Sequence, residues 1–273
     1  MSDPAAEMVA RIERGERLES PDEMTPEYRE HLVHLMLMQA DSELAGGYGY
    51  VSWIMKAPTV EEKHVVAQIV KDEIRHATVM YGLLADLGVD VEHHVEQHDE
   101  VFRMRIESDA DIGTQRITSD KRVNIFYYPI DTWGDFVFFN FCMDRGAGHQ
   151  LEDVRQCSYG PWARAIEGIF KEEKFHIRHG EYWVKKLAED PATHDQAQAT
   201  FAKWYVRTMN IFGRPGSSKN QRYRALRLKL RDNDEVRRAF ATEVADLCEK
   251  FGLSVPAWTP TWSELPEEAQ IPG

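Results

Sequence analysis

One pattern is written twice in this chain, one hundred residues apart, and it restricts the possible folds more than any other feature. Glu43 is followed 30 residues later by Glu73-Ile-Arg-His76, and Asp144 is followed 29 residues later by Glu173-Lys-Phe-His176. The flanks echo each other, with Glu43-Leu-Ala-Gly-Gly beside Asp144-Arg-Gly-Ala-Gly, and Asp72 and Glu172 directly before the two Glu-x-x-His pairs. A spacing of three puts Glu and His on one helical face, so a single helix can offer both to one metal ion. One such pair is a weak signal. Two, each preceded by an acid at nearly equal distance, are a strong one.

The surrounding residues place all four segments on helices. Thr25-Pro26 offers an N-cap and a first-turn proline for a helix from 26 to about Trp53, with Leu32, Met36, Ala40 and Glu43 on one stripe. Thr59-Val-Glu-Glu62 reads as a capping box opening a second helix that Gly88 ends. Its apolar positions, Val66, Ile69, Val70, Ala77 and Met80, enclose Glu73 and His76. Thr132-Trp-Gly-Asp135 opens a third helix, apolar almost all round from Phe136 to Met143 and closed by Asp144. Pro161 begins a fourth, whose stripe runs from Trp162 through Ile166, Ile169 and Phe170 to Glu173 and His176. Burying carboxylates and imidazoles costs several kcal/mol each unless something compensates. A metal compensates.

Four carboxylates and two imidazoles on four helices form the ligand set of a dinuclear centre in an all-α, ferritin-like four-helix bundle. Hard oxygens without a thiolate favour two iron ions, or manganese, over copper(I) or a lone zinc. The expected ligands are Glu43, Glu73, His76, Asp144, Glu173 and His176, with Asp72 and Glu172 orienting the histidines. His149 and His179 read as core or orienting groups, and Tyr48 and Tyr50, close after Glu43, as packing aromatics, with a radical tyrosine as the other reading.

Residues 1–24 read as a polar, poorly ordered lead-in, 25–258 as the bundle with C-terminal helices, and 259–273 as a surface tail. The stretch 89–130 is acidic and lacks sustained periodicity, so His93, His94 and His98 read as solvated. Further helices are expected near 194–212 and 234–251, the second capped by Asn233 and ended by Gly252. Between them, Arg214 to Arg231 holds seven basic residues and no acidic one, in a chain of net charge −13. That balance argues against nucleic acid as a partner, and the absence of a long apolar run argues against a membrane span. Cys142, Cys157 and Cys248 are too few and too scattered for a framework, and a cytoplasmic protein with reduced thiols is expected.

At this level of detail the chain resembles the catalytic subunit family of ring-1,2-phenylacetyl-CoA epoxidase, a bacterial multicomponent di-iron oxygenase. The resemblance rests on Ala40-Asp-Ser-Glu-Leu44, Lys56-Ala-Pro-Thr59, Asp72-Glu73 with His76, and Leu87-Gly-Val89. It continues through Tyr128-Pro129, Thr132-Trp133 with Asp135, Asp144, Cys157-Ser-Tyr-Gly-Pro161 and Lys171-Glu-Glu173 with Phe175-His176. Phe212-Gly213 and Asn233-Asp-Glu235 complete it, so it spans roughly residues 25 to 258. It implies a monooxygenase that activates O2 to epoxidise or hydroxylate an aromatic acyl-CoA thioester, phenylacetyl-CoA or a related aryl-CoA. It further implies an oligomer, a flavin/iron–sulfur reductase delivering electrons from NAD(P)H, and a related non-catalytic helical subunit. Arg75, Tyr48-Gly-Tyr50 and Arg145-Gly-Ala-Gly148 depart from the family pattern and leave the substrate open. The other readings are an N-oxygenase, desaturase or radical-generating di-iron protein, an iron store, and a non-catalytic ferritin-like partner subunit. A coenzyme A handle carries phosphates, which Arg and Lys clusters suit. Lys219, Arg222 and Arg224 are therefore the first candidates for binding its nucleotide end.

Overall fold

The computed structural model describes residues 4–98 and 122–260. Its helices are α1 (Pro4–Glu13), α2 (Pro26–Val51), α3 (Trp53–Lys56), α4 (Val60–Asp86), α5 (Val91–His98), α6 (Trp133–Phe139), α7 (Arg145–Val154), α8 (Gly160–Glu189), α9 (His194–Met209), α10 (Ser218–Ala225) and α11 (Asn233–Phe251). Among the described residues there is no strand, only an isolated bridge between Leu18 and Tyr159. No described helix is long and apolar enough to cross a membrane. The fold is the expected all-α, ferritin-like bundle, formed by α2, α4, the α6–α7 segment and α8.

Local signals set the helix ends. Thr25 Oγ1 accepts from Tyr28 N at the start of α2, and α2 runs unbroken through its three glycines to Val51. Thr59 caps α4 by accepting from Glu62 N. Glu62 does not complete the box by reaching back; its carboxylate lies 2.7 Å from Nε2 of His179 on α8. Thr132 and Asp135 do cap each other reciprocally at the start of α6. Between α6 and α7 the chain makes a π turn over Asn140–Asp144. Such a turn adds one residue to the helical ladder, and here it ends on the acid of the second repeat.

Glycines set the closest approaches. A Cβ at Gly180 on α8 would stand 2.5 Å from the backbone nitrogen of Phe141 and 2.9 Å from the carbonyl carbon of Asn140, so only glycine lets α8 lie against the π turn. On α2, a Cβ at Gly47 would meet Ile74 of α4 at 2.9 Å.

Several expectations are revised. From α1 onward the lead-in packs on the bundle: Met8, Ile12 and Leu18 are buried against Tyr28 and Leu32 of α2, because Met8, Val9 and Ile12 make one apolar face of a short helix. Asp232, not Asn233, caps α11, in a box with Glu235. The basic run contains α10, capped by Ser217. His94 turns inward, its Nε2 2.8 Å from the fully buried Asp41, which also accepts from Tyr81. The side chain of His98, residues 99–121 and the tail beyond 260 lie outside the described residues. All three cysteines are free and buried.

The apolar interior falls into two clusters. One holds Tyr50, Trp53, Val66, Ile69, the aromatic run of α6 and the inner faces of α9 and α11. The other holds Tyr28, Leu32, Met36, Ala77, Met80, Trp162 and Ile166. Each bundle helix passes from one cluster to the other, and Glu43, Glu73, Asp144 and Glu173 lie at the crossings.

Candidate metal centre

The repeat converges. One ligand atom each from Glu43, Glu73, His76 and Glu173 lie within 4.8 Å of one another. His76 Nδ1 is 3.3 Å from Glu43 and 3.1 Å from Glu173; His176 Nδ1 is 3.3 Å from Glu73 and 3.4 Å from Glu173. Asp144 lines the same cavity, and both imidazoles are fully buried. Residue pairs 73–176 and 76–173 face each other, so α4 and α8 run antiparallel across the centre.

The two acids before the motifs act crosswise. Glu172 on α8 lies 2.7 Å from Nε2 of His76 on α4, and Asp72 on α4 lies 3.6 Å from Nε2 of His176 on α8. In His76 a proton held on Nε2 by Glu172 leaves the Nδ1 lone pair aimed at the cluster, the orientation a metal requires; Asp72 stands in the same place beside His176, beyond hydrogen-bond distance. The supports differ in access. Asp72 is buried and bound by Gln68 at 2.7 Å, whereas the Glu172 side chain is 38% exposed and pairs with Arg75. Replacing either acid by Ala should weaken iron binding roughly 10–100-fold without abolishing it, as read by metal competition titration. Complete loss in either variant would make that acid a ligand.

The electrostatics fit a cation. Burial, then repulsion by Glu173 and Glu73, pushes Asp144 well above the usual carboxylate range. Burial with Glu173 and Glu43 nearby lifts Glu73 to about 8. Burial opposes charge on Glu173 too, but it lies between both imidazoles and is drawn down to about 2. His76, against the pull of burial, is raised to about 10 by Glu173 and Glu43. Asp144 Oδ2 and both nitrogens of His176 are buried without a hydrogen-bond partner. A polar set this dense inside an apolar core fits two cations that replace its protons and engage its orphaned atoms.

Above the carboxylates lies an apolar cleft of about 850 Å³ including its mouth, walled by Leu35, Met38, Phe126, Met143 and Leu151. Leu35, Met38, Gln150 and Lys229 also border a second, open groove, which carries Arg214 and Lys219. Of the three basic candidates, only Lys219 lines that groove. Arg222 pairs with Glu27, and Arg224 lies 4.0 Å from Asp232. Lys229, 9% exposed, stands where the two spaces meet, its Nζ 3.1 Å from Asn233. Burial lowers its pKa. Within the basic run it carries no sequence signal of its own.

The other histidines are held elsewhere: His149 by Glu243 at 2.8 Å, and His179 by Glu62 and the face of α6.

Residues 8–268 match the family described as phenylacetic acid catabolic protein. The chain belongs to that family. It is 27% identical over 249 residues to the A-subunit of 1,2-phenylacetyl-CoA epoxidase from Escherichia coli strain K12, covering 90% of this chain and 75% of that one. Over 168 residues it is 25% identical to benzoyl-CoA oxygenase component B of Aromatoleum evansii, covering 61% of this chain and 33% of that one. The match to the family takes in all four bundle helices and α9 to α11, so the cleft, the seam at Lys229 and the basic groove lie within it.

Proposed function

We propose that this chain is the oxygen-activating subunit of an aryl-CoA oxygenase that inserts one oxygen atom into the aromatic ring of a coenzyme A thioester. The observation that carries this reading is the continuity of three environments. Four carboxylates, backed by two buried imidazoles, floor an apolar cleft, and the cleft joins a basic groove at a seam holding Lys229 and Gln150. An aryl ring suits the first space, the carbonyl-bearing arm suits the seam, and a phosphorylated nucleotide suits the groove. Both relatives are named for aryl-CoA oxygenation.

Iron ions bound by Glu43, Glu73, His76, Asp144, Glu173 and His176 would supply the reduction and cleavage of O2; manganese fits the same donors. The protein's part is to hold and exclude. Glu173, which touches both imidazoles, and Glu73 lie between the two halves of the set, and Glu43 and Asp144 complete opposite ends. The apolar walls keep water from the reacting ring. Lys219 with Arg214 binds the nucleotide end; Arg222 and Arg224 join it only by releasing Glu27 and Asp232. Electrons reach the centre from NAD(P)H through a separate flavin/iron–sulfur reductase, and a related helical subunit completes the complex. The relatives are each named as one part of a larger enzyme, which supports such partners.

Lys229 is the specific test. A buried ammonium with one acceptor has donors to spare, and the acyl arm passes beside it. Calorimetry on the protein with its partner subunit would compare an aryl-CoA thioester with the thioether that lacks its carbonyl. A charge-assisted hydrogen bond of about 1.5–3 kcal/mol gives the thioester a roughly 10–100-fold preference. Lys229→Met should erase that preference and Lys229→Arg should keep part of it. Failure of either ligand to bind the wild-type complex would end the aryl-CoA reading.

A further inference from the structure

Beside the metal cavity, on the side away from the basic groove, lies a chain of oxidisable rings that oxygen insertion does not use. Tyr50 lines the cavity and meets Phe136 edge-on, centroids 5.2 Å apart. Phe136 stacks on Trp133 at 5.2 Å, Trp133 meets Trp183 at 5.3 Å, and Trp183 meets Tyr182 at 5.9 Å. Trp53 flanks the same cluster, 6.3 Å from Trp133. Tyr182, at the far end, is 59% exposed. The series therefore runs from the carboxylate cavity to solvent without a gap.

A second observation separates this series from ordinary core packing. The indole N–H groups of Trp53, Trp133 and Trp183 are all buried and have no hydrogen-bond partner among the described residues. An indole is a donor only and normally finds an acceptor when buried. An oxidised indole with an acceptor loses its proton and is trapped as a neutral radical. Without one it remains a radical cation, which the next ring can refill.

We infer that Trp133 and Trp183 form a one-electron conduit that drains oxidising equivalents from the metal cavity to Tyr182 when no substrate is bound. This rests on the oxygenase reading. In productive turnover the aromatic substrate consumes the oxidant made from dioxygen. Without substrate, two further electrons and two protons are needed to reduce that oxidant to water. Each electron leaves Trp133 across Phe136 and Tyr50, and the protons come from solvent. Trp183 refills Trp133, and Tyr182 refills Trp183 while its phenol releases one proton to bulk water. A small one-electron reductant of the ascorbate class restores the Tyr182 phenoxyl. Lys186 Nζ, 4.5 Å over the Trp183 ring, makes that ring a poor resting place and favours passage to Tyr182.

The test uses the iron-loaded protein with its partner subunits, mixed with dioxygen in the absence of substrate and freeze-quenched for electron paramagnetic resonance. Wild type should show an organic radical that ring-deuterated tyrosine assigns to a tyrosyl. In Tyr182→Phe, a surface change that leaves the fold alone, the signal should move to tryptophan, as ring-deuterated tryptophan would show. In Trp133→Phe the outer radical should be lost, and oxidation of Tyr50 and Met143, read by mass spectrometry, should rise several-fold. Coupled turnover with substrate should be unchanged in both variants. Iron-loaded wild type that forms no organic radical, or variants with the wild-type signal and damage, would overturn the conduit. A protein that takes up no iron would instead overturn the metal centre.

Discussion

Glu73→Gln and His176→Ala should each lose iron and oxygenase activity together, by far more than the roughly 10–100-fold that loss of an outer support costs. Either change removes a group at the middle of the set and leaves buried charges facing one another. Iron analysis and turnover on the same preparation check this, and full iron occupancy in either variant would refute the ligand assignment. Stability gives a second reading with opposite sign. Burial and its neighbours raise Glu73 to about 8 from an ordinary 4.5. In metal-free protein its favourable contribution is therefore present below about 4.5 and lost as pH rises through about 8. Metal-free Glu73→Gln should lack that loss and overtake wild type in Tm toward alkaline pH, whereas with iron wild type should be the more stable.

The second large effect is structural. Gly180→Ala places a methyl 2.5 Å from the backbone nitrogen of Phe141, where no rotamer change can relieve it. A cost of about 3 kcal/mol is expected, lowering Tm by roughly 6–12 °C in a chain of this size. Gly168→Ala on the same helix meets nothing within 4 Å and should be neutral or slightly stabilising. Since Gly180 seats the π turn that ends on Asp144, the first variant should also bind iron more weakly. Equal melting temperatures for the two variants would show that α8 does not rest on that turn.

The acids and histidines that converge on the cavity are legible in the sequence because they sit on apolar stripes, and an ionisable group there needs a reason. The π turn is not. Phe136 to Met143 is apolar on nearly every side, Asn140 alone excepted, so an extra residue in the ladder leaves no phase shift to detect. The crosswise pairing of Asp72 with His176 and Glu172 with His76 is also hidden. Spacing within one helix shows which residues share a face but not which neighbour that face meets. Lys229 is masked by the basic residues around it, because only the loop's attachment to α7, through Asp153 and the backbone of Leu230 and Arg231, turns it inward. His94 escapes for a similar reason: its partner Asp41 is far away in sequence.

The two apolar clusters face each other across a layer of ionisable groups, with Phe126 packed against both, and neither cluster comes from a continuous stretch of chain. In metal-free protein protons hold that layer together: Asp144 and Glu73 are pushed toward their neutral forms, and His76 and His176, beside Glu173, toward their charged forms. The cleft above it takes Leu35 and Trp162 from one cluster and Tyr50 and Met143 from the other. The two halves of the cleft are therefore joined through the protonation state of its own floor. Cations would displace those protons, so loading of the floor should release protons and become harder as the pH falls.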